Sequence, residues 1–158
     1  MILAALAAFA VAVLRSILFY SGNPAESKTF LLLHVIVVVT VVFFVNNRAM
    51  ARHADTSFPA LMRDGFKAAA LYALCIGVFT WIYHAAIDHD TIKGIIENAV
   101  ADGMRTGATE IAVRSRVEAL FTPFNNASIT FFGLLLAGAA LALLIAVAHH
   151  KVLRRFRR

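Results

Sequence analysis

Long apolar blocks are the feature that most constrains the fold of this chain. One of them, "LLLHVIVVVTVVFFV" from Leu31 to Val45, contains a single His, a single Thr and no charged residue. The hydrocarbon core of a bilayer is about 30 Å thick, and about 20 helical residues cross it. The apolar blocks therefore predict four transmembrane helices, at about residues 1–20, 29–46, 65–87 and 127–148.

The valine content of that block would favour a β-strand in water, where β-branched side chains pack well on a sheet. Inside lipid, a lone strand leaves its backbone groups without hydrogen-bond partners, whereas a helix pairs them internally. A closed barrel needs alternating apolar and polar residues, and "VIVVVTVV" at 35–42 does not alternate. We therefore predict an all-α membrane protein with four transmembrane helices and an amphipathic helical segment between the third and the fourth.

The composition agrees with this class of protein. Of the 158 residues, 61% are apolar and 15% are charged, whereas soluble domains are about half apolar and about one quarter charged. The only cysteine, Cys75, lies in an apolar block, so an intrachain disulfide is excluded. The first block could also be a cleaved signal peptide, but no basic residues precede its apolar core. The sequence favours a single integral membrane domain over residues 1–158.

Basic residues predict the orientation of the helices. Arg48, Arg52 and Arg63 follow the second apolar block, and Lys67 lies just inside the third. The segment 88–126, in contrast, has four Lys or Arg against six Asp or Glu. The tail 149–158 carries five more cations: Lys151, Arg154, Arg155, Arg157 and Arg158. The positive-inside rule then places both termini in the cytoplasm, and the basic tail is predicted to contact anionic lipid headgroups.

Small residues recur at a spacing of four in three of the blocks. They are Ala4, Ala8 and Ala12, then Ala69, Ala73 and Gly77, then Gly133 and Ala137. Such stripes let helix backbones approach closely in lipid, so they predict that the first, third and fourth helices pack together. Alanine-rich sequence also produces this spacing by chance.

The segment 91–120 has the pattern of an amphipathic helix, or of two. Its apolar residues recur every three or four positions, with charged residues between them, and a break is predicted near Gly103 or Gly107. Such a segment can lie in the membrane interface, pack on the helix bundle or bind a partner. The pair Thr122-Pro123 ends it, and Asn126 or Ser128 is the predicted cap of the fourth helix.

The order of these features resembles a family of uncharacterised four-helix bacterial inner-membrane proteins, catalogued as a domain of unknown function. The resemblance rests on "DTSFPALMRDGFKAAALYAL", "WIYHAAIDHD", the "FTPF" turn and the basic tail. The residues that match the family pattern are Ser57, Phe58, Gly65, Lys67, Tyr83, Ile87 and Asp88. The resemblance implies a multi-pass protein of the bacterial cytoplasmic membrane, and it implies no reaction and no catalytic residues.

Titratable residues cluster where the third block ends. His84 and Asp88 are four apart and share a helix face if the helix continues, and His89 or Asp90 could add a ligand for a divalent metal. No HExxH pattern supports a metal site. The simpler interpretation is a helix end that meets water, with Asp88 or Asp90 capping the next helix. We therefore predict no metal and no cofactor. If a metal did bind, the candidate ligands would be His84, Asp88 and His34.

His34 lies a few residues inside an apolar block, where an imidazole is costly unless it pairs with another group or reaches water. It could carry a proton or bind a ligand. It could also pack against polar residues such as Thr130 or Tyr83, which the sequence favours.

Three function hypotheses remain open. The favoured one is a structural or accessory subunit that uses the amphipathic segment as its interaction surface. The second is a small oligomeric transporter or channel around His34, Thr40 and Thr80, and the third is a metal-dependent enzyme that uses His84 and Asp88. No nucleophile elbow, P-loop or dinucleotide-binding pattern is present in the sequence, so catalysis is not favoured.

The expected partners are the lipid bilayer and either another protein or further copies of this chain. Nucleic acid is not expected, because membrane topology alone explains the basic tail.

Overall fold

A computed structural model describes residues 1–23, 27–53 and 55–153. Over these residues the chain forms six α-helices and no β-strand. The helices are α1 (Ile2–Tyr20), α2 (Ser27–Arg52), α3 (Phe58–Ala86), α4 (His89–Arg105), α5 (Glu110–Leu120) and α6 (Pro123–Ala148), and a π-helical turn follows at His149–Leu153. Four of them, α1, α2, α3 and α6, are long and apolar enough to cross a membrane. The predicted fold class is therefore confirmed.

The helices extend beyond the apolar blocks at the ends that carry the basic residues. Helix α2 continues to Arg52 and α3 begins at Phe58, so much of the stretch between the second and the third predicted spans is helical. Hydropathy marks the part of a helix that lies in lipid. It does not mark the helix end, because polar residues such as Arg48 have good helix propensity and continue the helix into the headgroup region.

Helix α6 begins earlier than predicted, and its cap is Thr122. The Thr122 hydroxyl accepts a hydrogen bond from the backbone N–H of Asn125 at 3.1 Å, and Pro123 occupies the first helical position. Proline suits that position because its missing N–H would have no partner there. The predicted caps are wrong, since Asn126 and Ser128 lie inside the helix, where the Ser128 hydroxyl donates to the Phe124 carbonyl at 2.9 Å.

The described chain divides into two compact units. Met1–Ile76, together with the part of the chain from Phe132 onward, forms the first, which we call the four-helix unit. It contains α1, α2, the first part of α3 and the last part of α6. Gly77–Phe131 forms the second, which we call the hairpin unit because α4 and α5 pack against each other within it.

Close backbone approach holds the four-helix unit together. A Cβ added at Gly138 of α6 would lie 2.8 Å from the Ala69 Cβ of α3. A Cβ added at Gly65 of α3 would lie 3.0 Å from Val42 Cγ1 of α2. Helix α3 therefore contacts both α2 and α6 at positions where only a glycine fits without displacement of a neighbour.

Parts of the predicted small-residue stripes are buried, whereas the joint packing of the first, third and fourth helices stays a prediction. Ala4, Ala8, Ala69 and Ala73 are buried, and so is Gly77 in the hairpin unit. The stripe predicted for the fourth helix is wrong, because Gly133 and Ala137 are exposed. Within the four-helix unit, the buried residues of α6 are instead Leu134, Gly138, Ala142 and Ala146. Helix α6 carries small residues on both faces, so their spacing alone does not select the face that packs.

Candidate functional site

The end of α3 places His84 and Asp88 together, but as parts of a helix junction. His84 is 3% exposed, and its Nδ1 donates to the main-chain oxygen of Asp88 at 3.4 Å. The Asp88 carboxylate accepts from the backbone N–H of Thr91 at 3.0 Å and from the Thr91 hydroxyl at 2.7 Å. Asp88 is therefore the N-cap of α4, as the sequence predicted.

Within the described ranges, no group of three or more His, Cys, Asp or Glu side chains is placed to hold a metal ion. Near His84, the carboxylate of Asp90 lies 3.5 Å from the Lys93 ammonium and is almost fully exposed. His34 belongs to a different cluster, in the four-helix unit.

His34 is part of a buried polar and aromatic cluster formed by α1, α2 and α3. Its Nδ1 shares a hydrogen bond of 2.7 Å with the hydroxyl of Tyr72, and both side chains are buried. The ring of Phe30 lies 6.3 Å from the imidazole, and the Arg15 guanidinium lies 5.2 Å above the Phe30 ring. His34 therefore packs against a polar group, although Tyr72 was not the predicted partner.

Two threonines were grouped with His34 in the pore hypothesis. Thr40 lies on the exposed side of α2 and donates its hydroxyl to the Ile36 carbonyl at 2.8 Å. His34 lies on the buried side of the same helix, so the two residues do not face one cavity within this chain. Thr80 is 2% exposed and belongs to the hairpin unit, and its hydroxyl has no hydrogen-bond partner among the described residues.

Two further buried polar residues, Asn46 and His149, were not predicted. Asn46 is fully buried, and neither atom of its amide has a hydrogen-bond partner in the described part of the chain. His149 is 1% exposed and donates from Nδ1 to the Ile145 carbonyl at 2.9 Å, and its ring centroid lies 4.8 Å from that of Phe43. The helical spacing of Val42, Asn46 and Met50 would have placed Asn46 on a buried face.

Two glycines shape the hairpin formed by α4 and α5. Gly107, with φ +86°, makes the predicted break between α4 and α5. Gly103 lies within α4 and has a different role, because a Cβ there would lie 2.5 Å from Val113 Cγ1 of α5. The two glycines therefore serve the turn and the close crossing of the helices, respectively.

Arg114 contacts three carboxylates, of which Glu97 is on α4 and joins the two helices. Its Nη1 and Nη2 donate to the two Glu97 oxygens of α4 at 2.8 and 3.0 Å. On α5, Nη2 donates to Glu110 at 3.0 Å, and Glu118 lies 3.8 Å from Nη1. The hydrogen bond from Arg114 holds the pKa of Glu97 below its ordinary value, and the bonds to Glu97 and Glu110 raise the pKa of the guanidinium.

The hairpin unit also exposes large apolar side chains. Helix α4 buries Ile92 and Val100, whereas α5 buries none of its residues. Ile111 of α5 is 83% exposed and Leu120 is 64% exposed. The exposed apolar set of this unit includes Ile95, Met104, Ile111, Leu120 and Phe124. Ile111 and Leu120 are nine residues apart and therefore lie on opposite sides of α5. Ile111, the more exposed of the two, is suited to contact another apolar surface.

Of the predicted lipid-contacting cations, Lys151 is exposed, and Arg154, Arg155, Arg157 and Arg158 lie outside the described residues. Comparisons with protein-family models, with curated proteins and with solved structures found no match to this chain.

Proposed function

We propose that this protein is an accessory subunit of a membrane assembly and that the hairpin α4–α5 binds the partner protein. One observation carries the proposal. Helix α5 is held in place by Arg114 and by the Gly103–Val113 contact, yet it buries none of its own side chains and leaves Ile111 83% exposed.

A fixed apolar surface supports protein recognition better than a flexible one. Helix α5 has 11 residues, and isolated helices shorter than about 12 residues are marginal in water. Contacts to α4 therefore order it before any partner arrives, and a partner does not need to supply the free energy of ordering it. Exposed apolar patches on an ordered element mark interaction surfaces.

The orientation is part of the proposal. The cations Arg48, Arg52, Arg63 and Lys67 favour a cytoplasmic location for the connection between α2 and α3. With four spans, both termini then lie in the cytoplasm and the amphipathic hairpin lies outside it. The resemblance to the uncharacterised four-helix family supports a bacterial cytoplasmic membrane as the location.

Site-specific photocrosslinking in native membranes tests the partner surface. We would place a photoreactive phenylalanine analogue at Ile111 and, as the matched control, at Arg116, which is also exposed on α5 but on a different face. The proposal predicts one discrete protein adduct at Ile111 and a much weaker adduct at Arg116. The protein found in that adduct should co-purify with the wild-type chain in mild detergent. It should no longer co-purify with the Ile111→Asp variant.

Two results would count against the proposal. Lipid adducts alone at Ile111 would assign the hairpin to the bilayer surface. Equal protein adducts at Ile111 and Arg116 would show chance collisions in a crowded membrane and no defined interface.

A further inference from the structure

We propose that the four-helix unit binds one anionic phospholipid, with the phosphate at Arg48, Arg52 and Lys67 and one acyl chain in the groove between α1 and α2. The site is separate from the partner surface proposed for the hairpin and does not depend on it. It consists of two adjoining cavities, which differ in chemistry and share a single lining residue.

The first cavity, of about 820 Å³, is amphiphilic. The start of α1, the end of α2 and the start of α3 form it, and its charged lining residues are Arg48, Arg52, Lys67 and Asp64. Phe44 and Leu3 are among its apolar lining residues. It lies where the helices pass from apolar to polar sequence, which is the depth of the headgroups in a bilayer.

The charges of this cavity favour an anion. Arg48 and Arg52 are four apart on α2 and therefore share a helix face, and Lys67 adds a cation from α3. All three are exposed, and no described carboxylate pairs with them. The carboxylate of Asp64 lies 3.4 Å from the Arg63 guanidinium, which offsets its charge. Arginine binds phosphate through two parallel hydrogen bonds, so this arrangement suits a phosphodiester.

The second cavity, of about 320 Å³, is apolar and runs along α1 and α2. Its lining includes Leu3, Val11 and Leu14 of α1, together with Val37 and Val41 of α2. Among the described residues of its lining, the one polar residue is Thr40, which donates its hydroxyl to the Ile36 carbonyl. From Leu3 to Leu14 the helix rises about 16 Å, which is roughly half of the hydrocarbon core, or the depth of one leaflet.

Leu3 lines both cavities, so the groove begins where the cationic cavity ends. A phospholipid has the same order of parts, with an anionic phosphate followed by an acyl chain. A free phosphate would use the cations and leave the groove unused. The combination of the two cavities therefore favours a lipid over a soluble anion, and the cations favour an anionic lipid over a zwitterionic one.

Native mass spectrometry of the full chain in detergent tests the site. The purified protein is titrated with phosphatidylglycerol and, separately, with phosphatidylcholine. We expect one phosphatidylglycerol to remain bound per chain, and phosphatidylcholine to remain bound at least about fivefold less, which is the effect of one cation near a lipid phosphate. Equal retention of both lipids would overturn the proposal.

Single variants distinguish lipid binding in the cavity from general attraction of anionic lipid to surface cations. Arg48→Gln and Lys67→Gln should each weaken phosphatidylglycerol retention about fivefold, whereas Arg116→Gln, an exposed cation of α5 outside the cavity, should leave it unchanged. Thermal unfolding of each variant in detergent confirms that it is folded. Equal losses in all three variants would overturn the defined site.

Two further arms distinguish the lipid from a free anion. Ala7→Phe fills the groove, so it should lower the retention of long-chain phosphatidylglycerol without changing the effect of the cation variants. Inorganic phosphate or glycerol phosphate should not displace the bound lipid. If either of them displaces it at comparable concentration, the cavity is a soluble-anion site and the lipid assignment is wrong.

Discussion

The four-helix unit and the hairpin unit both place glycine at close helix crossings and both bury polar side chains, but they differ in their networks of charged residues. Gly138 and Gly103 each sit at a close helix crossing, where an added Cβ would collide with the neighbouring helix. In the four-helix unit the polar side chains His34 and Asn46 are buried among apolar residues. The hairpin unit also buries polar side chains, and in addition it joins Arg114 to carboxylates at its surface.

We attribute this difference to the proposed topology, in which lipid surrounds the four spans and water surrounds α4 and α5. Lipid tails are as apolar as leucine, so burial of apolar groups gains little there and close packing provides the stabilisation. In water, a short hairpin can use ion pairs, helix caps and apolar burial together. We therefore expect the four-helix unit to be sensitive to the volume of buried side chains and the hairpin to be sensitive to charge as well.

The largest expected effect is in the four-helix unit. Gly138→Ala places a methyl group 2.8 Å from the Ala69 Cβ and should lower the free energy of unfolding by about 1–3 kcal/mol, since an overpacked core must shift. Unfolding in detergent micelles with increasing dodecyl sulfate measures it. Gly133→Ala is the matched control, because a Cβ at Gly133 meets no atom within 4 Å.

The same site allows a rescue experiment. Combining Gly138→Ala with Ala69→Gly moves the methyl group from one helix to the other and should restore most of the lost stability. If Gly133→Ala destabilises the protein as much as Gly138→Ala, the packing face of α6 is not the one described above.

A second prediction concerns the buried amide of Asn46. Because neither of its polar atoms has a hydrogen-bond partner among the described residues, its burial costs about 1–3 kcal/mol. Asn46→Leu, which keeps the branching and the number of heavy atoms, should therefore raise the free energy of unfolding by a similar amount in the same assay. A loss of stability would mean that the amide bonds a group within the membrane, such as an ordered water, and that the four-helix unit depends on this polar contact.

A third prediction tests whether packing also matters in the hairpin. Gly103→Ala would place a methyl group 2.5 Å from Val113 Cγ1 and should loosen α5 by about 1 kcal/mol, after the gain in helix propensity partly offsets the clash. Hydrogen exchange of the α5 amides measures the opening. Gly94→Ala is the control, because nothing lies within 4 Å of its added Cβ. In a Val113→Ala background, Gly103→Ala should no longer loosen α5. If the effects of the two substitutions on the opening of α5 simply add, the two side chains are not in contact.

Hydropathy predicted the four spans because an uninterrupted apolar block in lipid can pair its backbone groups only by forming a helix. It did not predict which face of α6 packs, since Gly133 and Gly138 are both small and only the neighbouring helix distinguishes them. The bond between His34 and Tyr72 joins residues 38 apart in the chain, and no local pattern encodes such a pair. Even so, two polar side chains inside apolar blocks should be expected to meet, because each needs a partner.

Arg114 shows the same limit in the hairpin. The spacing of four between Glu110, Arg114 and Glu118 is visible in the sequence and predicts helix-surface ion pairs. The contact with Glu97, 17 residues away, depends on the turn at Gly107, which returns α5 along α4. The sequence indicated a break there, but not the residues that the turn would bring together.

The smallest expected effect is electrostatic and depends on pH. The folded pKa of Glu97 is lowered, chiefly by its hydrogen bonds to Arg114, so its contribution to hairpin stability is fully present above the ordinary glutamate pKa of about 4.3. That contribution is lost as the pH falls through the lower, folded pKa. Hydrogen exchange of α5 should therefore be slower in the wild type than in Glu97→Gln at neutral pH, and the two should converge on acidification. High salt should reduce the difference at neutral pH, because exposed ion pairs are screened. If the exchange rates of the wild type and Glu97→Gln differ by the same amount in acid, the effect of Glu97 comes from side-chain packing and not from its charge. The hairpin would then not depend on charge more than the four-helix unit does.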